Sequence, residues 1–148
     1  MPSTEETYRI AAREHLARAQ DQFGNGSYYL THFLSGLAVE CHLRAWLLRR
    51  TREFDSRHDL QRLAAESGYY DIVPNERASD LSSVFATVNL RWRSNQRYYS
   101  ERQLLDYLTE IKAEFNVKGG RWKNVARTLL NCAYDIINQG EAKWDKQS

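Results

Sequence analysis

The sequence has few of the residues that interrupt regular structure, and it has no long apolar run. Its 148 residues include seven glycines and two prolines, which argues against an all-β fold rich in turns. The first ten residues, MPSTEETYRI, lack the apolar core of a signal peptide, and no run approaches the ~18 apolar residues of a membrane span. These absences argue against a membrane protein and lead us to expect a cytoplasmic location.

Cysteine is equally scarce. Cys41 and Cys132 are the two cysteines of the chain, and both fall within apolar helical patterns, which predicts buried thiols that behave as small hydrophobic side chains. Without a CxxC-like pair, a structural zinc site is not expected. The phosphate-binding patterns GxxxxGK and GxGxxG and the zinc-binding pattern HExxH are also missing. We therefore predict no metal site and no cofactor.

The charge of the chain is nearly balanced. Its 21 lysines and arginines and 19 acidic residues give a net charge of +2, too little by itself to indicate a nucleic-acid-binding protein. The distribution is more informative, because residues 87–100 contain three arginines and no acidic residue. A local positive patch of this kind attracts phosphate even when the total charge is small.

Apolar residues recur at helical spacing through most of the chain. With 42% hydrophobic and 27% charged residues, the composition is that of one globular domain over residues 1–148. The pattern predicts an all-α fold, an antiparallel bundle of about five helices in which the second and last helices are central. The predicted helices cover about residues 4–23, 27–52, 58–68, 75–88 and 100–115, and a last helix ends at Gly140.

Two stretches fall outside this pattern. Residues 69–73 are interpreted as either a loop or one extended segment. Residues 141–148 are predicted to be a frayed tail, although Trp144 could dock on the bundle.

A charged pair lies on the buried side of the second predicted helix. Glu40 shares a face with Phe33, Leu37 and Arg44, and an ionised carboxylate in that position needs a partner. One interpretation is a structural ion pair between Glu40 and Arg44, four residues apart on the helix. The other is that Glu40 reaches an arginine of residues 91–97 and fixes that segment.

Histidine occurs four times, and one of the four suggests chemistry. His58 stands in the sequence His58-Asp59-Leu60, which could cap a helix with Leu60 pointing inward. Alternatively, His58 could act as a general acid or base, since its charge changes near neutral pH. The other three histidines lie within predicted helices and are interpreted as structural residues.

The segment LRWRSNQRYY, residues 90–99, is the strongest candidate for a binding surface. Guanidinium groups bind phosphate and aromatic rings stack on bases, so arginines interleaved with rings are typical of surfaces for single-stranded nucleic acid or a nucleotide. The alternative is a solvated loop whose aromatic side chains dock on the bundle. The predicted binding residues are Arg91, Trp92, Arg93, Arg97 and Tyr98.

The order of these features resembles that of the HEPN family. Residues 35–48 read SGLAVECHLRAWLL, similar to the family's A-x-E-x-x-L-[KR]-A helix, while His58-Asp59-Leu60 looks like its H-D-L element and Arg97-Tyr98 like its R-Y element. The resemblance covers about residues 8–137. It implies a helical bundle that forms a homodimer, often in a toxin–antitoxin or defence system, with a nucleotidyltransferase or an antitoxin as partner protein.

The resemblance also implies a possible activity, from which this chain departs. Many members of the family are metal-independent ribonucleases that use an arginine followed, after four to six residues, by a histidine. No histidine follows His58 here, so the arginines of residues 91–97 have none after them. Arg52 and His58 have the spacing but lie too early in the chain. We therefore expect a module that binds RNA, a nucleotide or a partner protein without catalysis.

Two alternatives remain. The chain could be a ribonuclease in which His58 acts as acid and base while Arg52 or Arg97 stabilises charge on the phosphate. Without a metal, the neighbouring 2′-hydroxyl must attack, and the product would be a 2′,3′-cyclic phosphate. The chain could instead be a structural subunit of a homodimer, with its arginines paired to acidic residues of the second copy.

Overall fold

The structure is a computed structural model that describes residues 4–51, 60–72, 75–111 and 121–145. These ranges hold seven α-helices and one short 3₁₀ helix, and no strand occurs within them. The predicted all-α class is confirmed, with more helices than the expected five. The helices are α1 Glu5–Gly24, α2 Tyr28–Thr51, α3 Leu60–Glu66, α4 Tyr69–Ile72, α5 Asn75–Arg91, α6 Glu101–Glu110 and α7 Arg121–Trp144, and the 3₁₀ helix Ser94–Tyr98 lies between α5 and α6.

Local signals set the limits of α1. The Thr4 hydroxyl caps the helix by accepting a hydrogen bond from the Thr7 amide at 3.2 Å, and acidic residues in the first turn favour the positive end of the helix dipole. The helix ends at Gly24, and Gly26 then adopts a φ of 81°, a left-handed conformation that glycine reaches without steric cost. This short turn sends α2 back antiparallel to α1, as predicted.

α2 is the central helix of the bundle. Every residue from 38 to 47 is buried, as expected for a helix surrounded by protein on all sides. α7 runs parallel to α2, because the rings of His32 and Trp122 lie 5.9 Å apart near the helix starts and those of Trp46 and Trp144 lie 4.8 Å apart near the helix ends. α1 is therefore antiparallel to both of these helices.

The helices α3, α4 and α5 pack against α2 and α7. Residues 69–72, for which the sequence allows a loop or an extended segment, form α4. Its first residue, Tyr69, is fully buried: the ring packs edge-on against Phe85 at 5.3 Å and against His42 at 5.7 Å. The Tyr69 hydroxyl donates a hydrogen bond to the carbonyl of Ile136. Tertiary burial of this side chain, which local propensity does not encode, accounts for the extra helical turn.

α7 continues to Trp144, so the predicted helix end at Gly140 is wrong. Instead, α7 lies close to the His42 side chain of α2 at Gly140, since a Cβ atom at position 140 would lie 2.1 Å from Nε2 of His42. The turn beyond it is held by the bundle: Trp144 is buried, and Glu141 forms an ion pair with Arg9 of α1 at 2.7 Å. Residues 141–144 therefore belong to the helix.

One end of the bundle combines the starts of α2, α6 and α7 with the segment that joins α5 to α6. α5 reaches Arg91, beyond its expected end. α6 begins with the predicted capping box, in which the Ser100 hydroxyl accepts from the Gln103 amide at 3.2 Å and the Gln103 side chain accepts from the Ser100 amide at 2.8 Å. A second, smaller apolar cluster here contains Leu104, Leu108, Trp122 and Val125.

Candidate functional site

The segment that joins α5 to α6 carries the residues predicted to bind a ligand, and it turns into the core at Trp92. The Trp92 side chain is 1% exposed. Its ring covers Gly36 of α2, and its indole N–H donates a hydrogen bond to the Phe33 carbonyl at 3.0 Å. Trp92 is therefore an anchor whose ring is not accessible to a ligand, which corrects its predicted place among the binding residues.

Side chains of α2 hold the backbone of this segment at both ends. His32 Nε2 donates to the Arg91 carbonyl at 3.1 Å, and the Tyr29 hydroxyl donates to the Tyr99 carbonyl at 2.7 Å. The Arg91 carbonyl accepts a second hydrogen bond, from the side-chain amide Nε2 of Gln96, at 2.9 Å. Gln96 is buried, so this bond closes the segment from within.

α6 contributes one further contact. The Tyr107 hydroxyl donates a hydrogen bond to the Leu90 carbonyl at 2.6 Å. Residues 90–99 are thus tied to two helices through their main-chain carbonyls. Because the carbonyls make these bonds, the side chains on the outer face of the segment are not needed to hold it in place.

His32 is a buried, neutral hydrogen-bond donor. Burial lowers the pKa of His32 to about 4, although hydrogen bonds to the Arg91 carbonyl and to Gln96 act in the opposite direction. Because a carbonyl oxygen can only accept, the neutral ring must carry its proton on Nε2. The sequence indicated a structural histidine in a helix, but it could not identify the partner, which lies 59 positions further along the chain.

We expect the stability of the protein to fall in mild acid because two buried histidines, His32 and His42, stay neutral in the folded state. Burial lowers the pKa of His42 to about 4 as well, whereas an unfolded histidine has a pKa of about 6.5. As the pH falls below about 6.5, the unfolded chain therefore binds protons that the folded chain does not. The free energy of unfolding should drop by about 1.2 kcal/mol for each histidine between about pH 6 and pH 5.

Urea unfolding at several pH values measures this slope. His32→Gln retains a hydrogen-bond donor without a titrating ring, so this variant should show about half of the slope of the unmodified protein. A free energy of unfolding that stays constant across the interval would contradict the assignment of both histidines as buried and neutral.

Arg93, Arg97 and Tyr98 form the outer face of the segment, and we call them the primary patch. All three are exposed, with Tyr98 at 75%. The Arg97 guanidinium lies over the Tyr98 ring, with Cζ 4.9 Å from the ring centroid, a favourable cation–π arrangement. Arg91 is half-buried, so its side chain offers less surface than the other predicted binding residues.

The two guanidinium groups of the primary patch form no ion pair with any carboxylate of the described residues. Pairing is common elsewhere on the surface, so these two arginines differ from those that already bind a carboxylate. An exposed guanidinium without a carboxylate partner keeps its charge and its donors for a ligand. Other arginines do bind carboxylates: Arg9 with Glu6 and Glu141, Arg18 with Glu14, Arg50 with Asp71, Arg62 with Glu66, and Arg102 with Asp106.

A family model described as the HEPN domain matches residues 5–142, nearly the whole chain. The chain belongs to the HEPN family. Comparisons with curated proteins and with solved structures gave no match. Family membership confirms the resemblance drawn from residues 35–48, which form the buried central part of α2, and from Arg97-Tyr98 in the primary patch.

In this HEPN domain, Glu40 and Arg44 form the predicted ion pair. Arg44 Nε lies 3.3 Å from Glu40 Oε2. The Arg44 side chain is 4% exposed and the Glu40 side chain is 9% exposed. The pair is therefore part of the core, unlike the exposed pairs that i, i+4 spacing usually produces. The second interpretation, a contact between Glu40 and residues 91–97, stays a prediction.

The catalytic residues predicted for a HEPN ribonuclease, His58 and Arg52, lie outside the described residues, and their role stays a prediction. Within the described ranges, no group of three or more His, Cys, Asp or Glu side chains could hold a metal ion. Both cysteines are free thiols. Burial raises the pKa of Cys41 to about 12, so this thiol stays protonated and unreactive at neutral pH.

Among the helices of the described ranges, none is both long and apolar enough to cross a lipid bilayer.

Proposed function

We propose that this HEPN domain is a binding module for a ligand of the RNA or nucleotide class, and that the primary patch supplies the first contacts. The observation that carries the proposal is the pair of exposed guanidinium groups without carboxylate partners among the described residues, next to an exposed aromatic ring. Arginine forks bind phosphate oxygens in a bidentate manner. The ring of Tyr98 can stack on a base beside them.

The fixed backbone of the segment also supports binding. A ligand loses affinity when it must first order a mobile loop, and a surface that is already ordered avoids this cost. Here His32, Tyr29 and Tyr107 hold the main chain on which Arg93 and Arg97 are placed. The main chain that carries the two arginines is thus held in place before any ligand arrives.

The double substitution Arg93→Gln and Arg97→Gln tests the proposal. It removes both charges while retaining most of the side-chain length and polarity. We expect it to weaken binding of single-stranded RNA at least about tenfold, since hydrogen bonds to charged groups contribute about 1.5–3 kcal/mol each. The slope of log affinity against log salt should decrease by about 0.7 for each phosphate that the variant no longer binds. Fluorescence anisotropy at several salt concentrations measures both quantities.

Arg18→Gln together with Arg102→Gln is the matched control. Both of these arginines are exposed, and each is paired with a carboxylate on its own helix. The control removes the same formal charge, so a general effect of net charge would reduce binding equally in both double variants. Equal affinities, or salt-independent binding by the unmodified protein, would contradict the proposal.

The remaining predictions from the HEPN resemblance concern the setting of this module. They are a homodimer, a toxin–antitoxin or defence system, and a nucleotidyltransferase or antitoxin as partner protein. The ribonuclease alternative, with His58 and Arg52, would require cleavage of RNA in the presence of EDTA. The binding proposal does not depend on any of them, because the primary patch lies within one copy of the chain.

A further inference from the structure

A second group of cations lies near the start of α7. Lys123 and Arg127 are exposed, and both lie over the ring of Phe23 at the end of α1: Lys123 Nζ is 5.9 Å and Arg127 Cζ is 5.4 Å from its centroid. Neither cation pairs with a carboxylate in the part of the chain that the structure describes, and Arg127 instead donates to the side-chain carbonyl of Asn124 at 3.1 Å. We call Phe23, Lys123 and Arg127 the secondary patch.

Helix stability does not explain the position of Lys123, which lies in the first turn of α7. The start of a helix carries partial positive charge, so acidic residues are favoured there and lysine or arginine is disfavoured. The first turns of α7 and of α2 contain no acidic residue. Because α2 and α7 run parallel, both helix starts add positive potential at the same end of the bundle as the cations.

Partly exposed tyrosines connect the two patches. Tyr99 directly follows the primary patch, and its carbonyl accepts the hydrogen bond of Tyr29. Tyr28 precedes Tyr29, and its ring lies 5.7 Å from the ring of Phe23 in the secondary patch. All three tyrosines are half-buried and pack on the apolar cluster between α6 and α7. Three aromatic side chains therefore lie on the segments between one group of cations and the other.

The start of α7 also adjoins the contacts that hold the primary patch. The ring of Trp122, next to Lys123 in sequence, lies 5.9 Å from the ring of His32, and His32 binds the Arg91 carbonyl. The two patches are therefore carried by elements that both pack against α2 at one end of the bundle.

We propose that the ligand is a single-stranded nucleic acid that spans from the primary patch across the tyrosines to the secondary patch. Phosphates contact the cations at both ends, and bases lie against the rings between them, the combination by which proteins bind single strands. A mononucleotide would engage one patch only. This inference rests on the proposed function, because it assigns the same primary patch a longer ligand.

The test combines two lengths of RNA with two double variants. Labelled single-stranded RNA of about four and about twelve nucleotides falls within the range of lengths that such binding sites cover. Lys123→Gln with Arg127→Gln should weaken binding of the longer RNA about tenfold and reduce its salt slope by about 1.4, equivalent to two phosphate contacts. Binding of the shorter RNA should change less than about twofold, because the primary patch is intact.

Each other outcome has a distinct meaning. If Arg93→Gln with Arg97→Gln weakens both RNAs while the α7 variant weakens neither, the long ligand is wrong and the proposed function stands. Equal affinity of the unmodified protein for both lengths also overturns the inference. If the unmodified protein binds neither RNA, the proposed function fails and the inference fails with it.

A charge-preserving variant is the control for a folding defect caused by substitution at these two positions. Lys123→Arg with Arg127→Lys keeps both positive charges, and we expect it to bind the longer RNA as the unmodified protein does. Weaker binding by this variant, with unchanged thermal unfolding, would show that charge at the secondary patch is not what the RNA contacts.

Discussion

Gly36→Ala should destabilise the protein by about 3 kcal/mol, although alanine is the better helix former by about 1 kcal/mol. A Cβ atom at position 36 would lie 2.1–2.3 Å from three atoms of the Trp92 ring, including Cγ. Cγ is joined directly to Cβ of Trp92, so rotation of the ring about the Cβ–Cγ bond cannot relieve the contact, and the buried ring has no open space for another rotamer. The substitution must therefore displace either α2 or the segment that carries the primary patch.

Gly24→Ala is the matched control for this prediction. Gly24 also lies in a helix, at the end of α1, but a Cβ atom there would meet nothing within 4 Å. We expect Gly24→Ala to be neutral or to stabilise the protein by up to about 1 kcal/mol. Urea unfolding of the two variants measures the difference. Equal stabilities would show that Trp92 does not occupy the space above Gly36.

Gly36→Ala should also reduce RNA binding beyond its effect on stability. Trp92 lies between Arg91, whose carbonyl is bound by His32, and Arg93 of the primary patch. A displaced Trp92 therefore moves the main chain that positions the arginines. The effect on binding is to be measured under conditions in which the variant remains folded.

Arg44→Met should cost about 3–5 kcal/mol, the largest effect that we expect from a single change of charge. Methionine fills much of the space of the arginine stem but removes the guanidinium group, and the Glu40 carboxylate stays in the core with 9% of its side chain exposed. Removal of the guanidinium takes away an attraction that compensates the desolvation cost of the buried carboxylate, and the desolvation cost itself remains. Chemical denaturation at neutral pH measures the change in the free energy of unfolding.

Two comparisons isolate the role of burial. Glu14 and Arg18 have the same i, i+4 spacing at 3.8 Å, but their side chains are 59% and 61% exposed, so Arg18→Met should cost less than about 1 kcal/mol. The double substitution Glu40→Leu with Arg44→Met should recover much of the stability that Arg44→Met alone removes, because it removes both charges of the pair. If Arg44→Met lowers the free energy of unfolding no more than Arg18→Met does, then the core pair contributes no more to stability than a surface pair.

The features that the sequence predicts correctly depend on neighbours within a few positions. The capping box of α6, the Gly24–Gly26 turn and the start of α2 each follow from residues about one helical turn apart. The Glu40–Arg44 pair is also local, and it forms as predicted. Its burial, however, depends on the helices that surround α2.

The errors have a common origin in contacts between distant residues. The flanking arginines suggest a binding role for Trp92, but its ring fills the space above Gly36 and its N–H binds a carbonyl 59 positions away. The apolar pattern predicts a helix end at Gly140, but this glycine permits contact with His42. A glycine is the same residue in either role, so spacing alone could not distinguish a helix end from a close approach.

The sequence by itself determined that this chain is a helical HEPN domain, because periodicity, caps and the order of family motifs are properties of neighbouring residues. Only the tertiary structure decided which cations of the described ranges face solvent without carboxylate partners, since a partner can also come from a distant helix, as Glu141 does for Arg9. It removed Trp92 from the candidate surface, retained Arg93, Arg97 and Tyr98, and placed Lys123 and Arg127 at the same end of the bundle. Those positions depend on the parallel packing of α2 and α7, which no local pattern encodes.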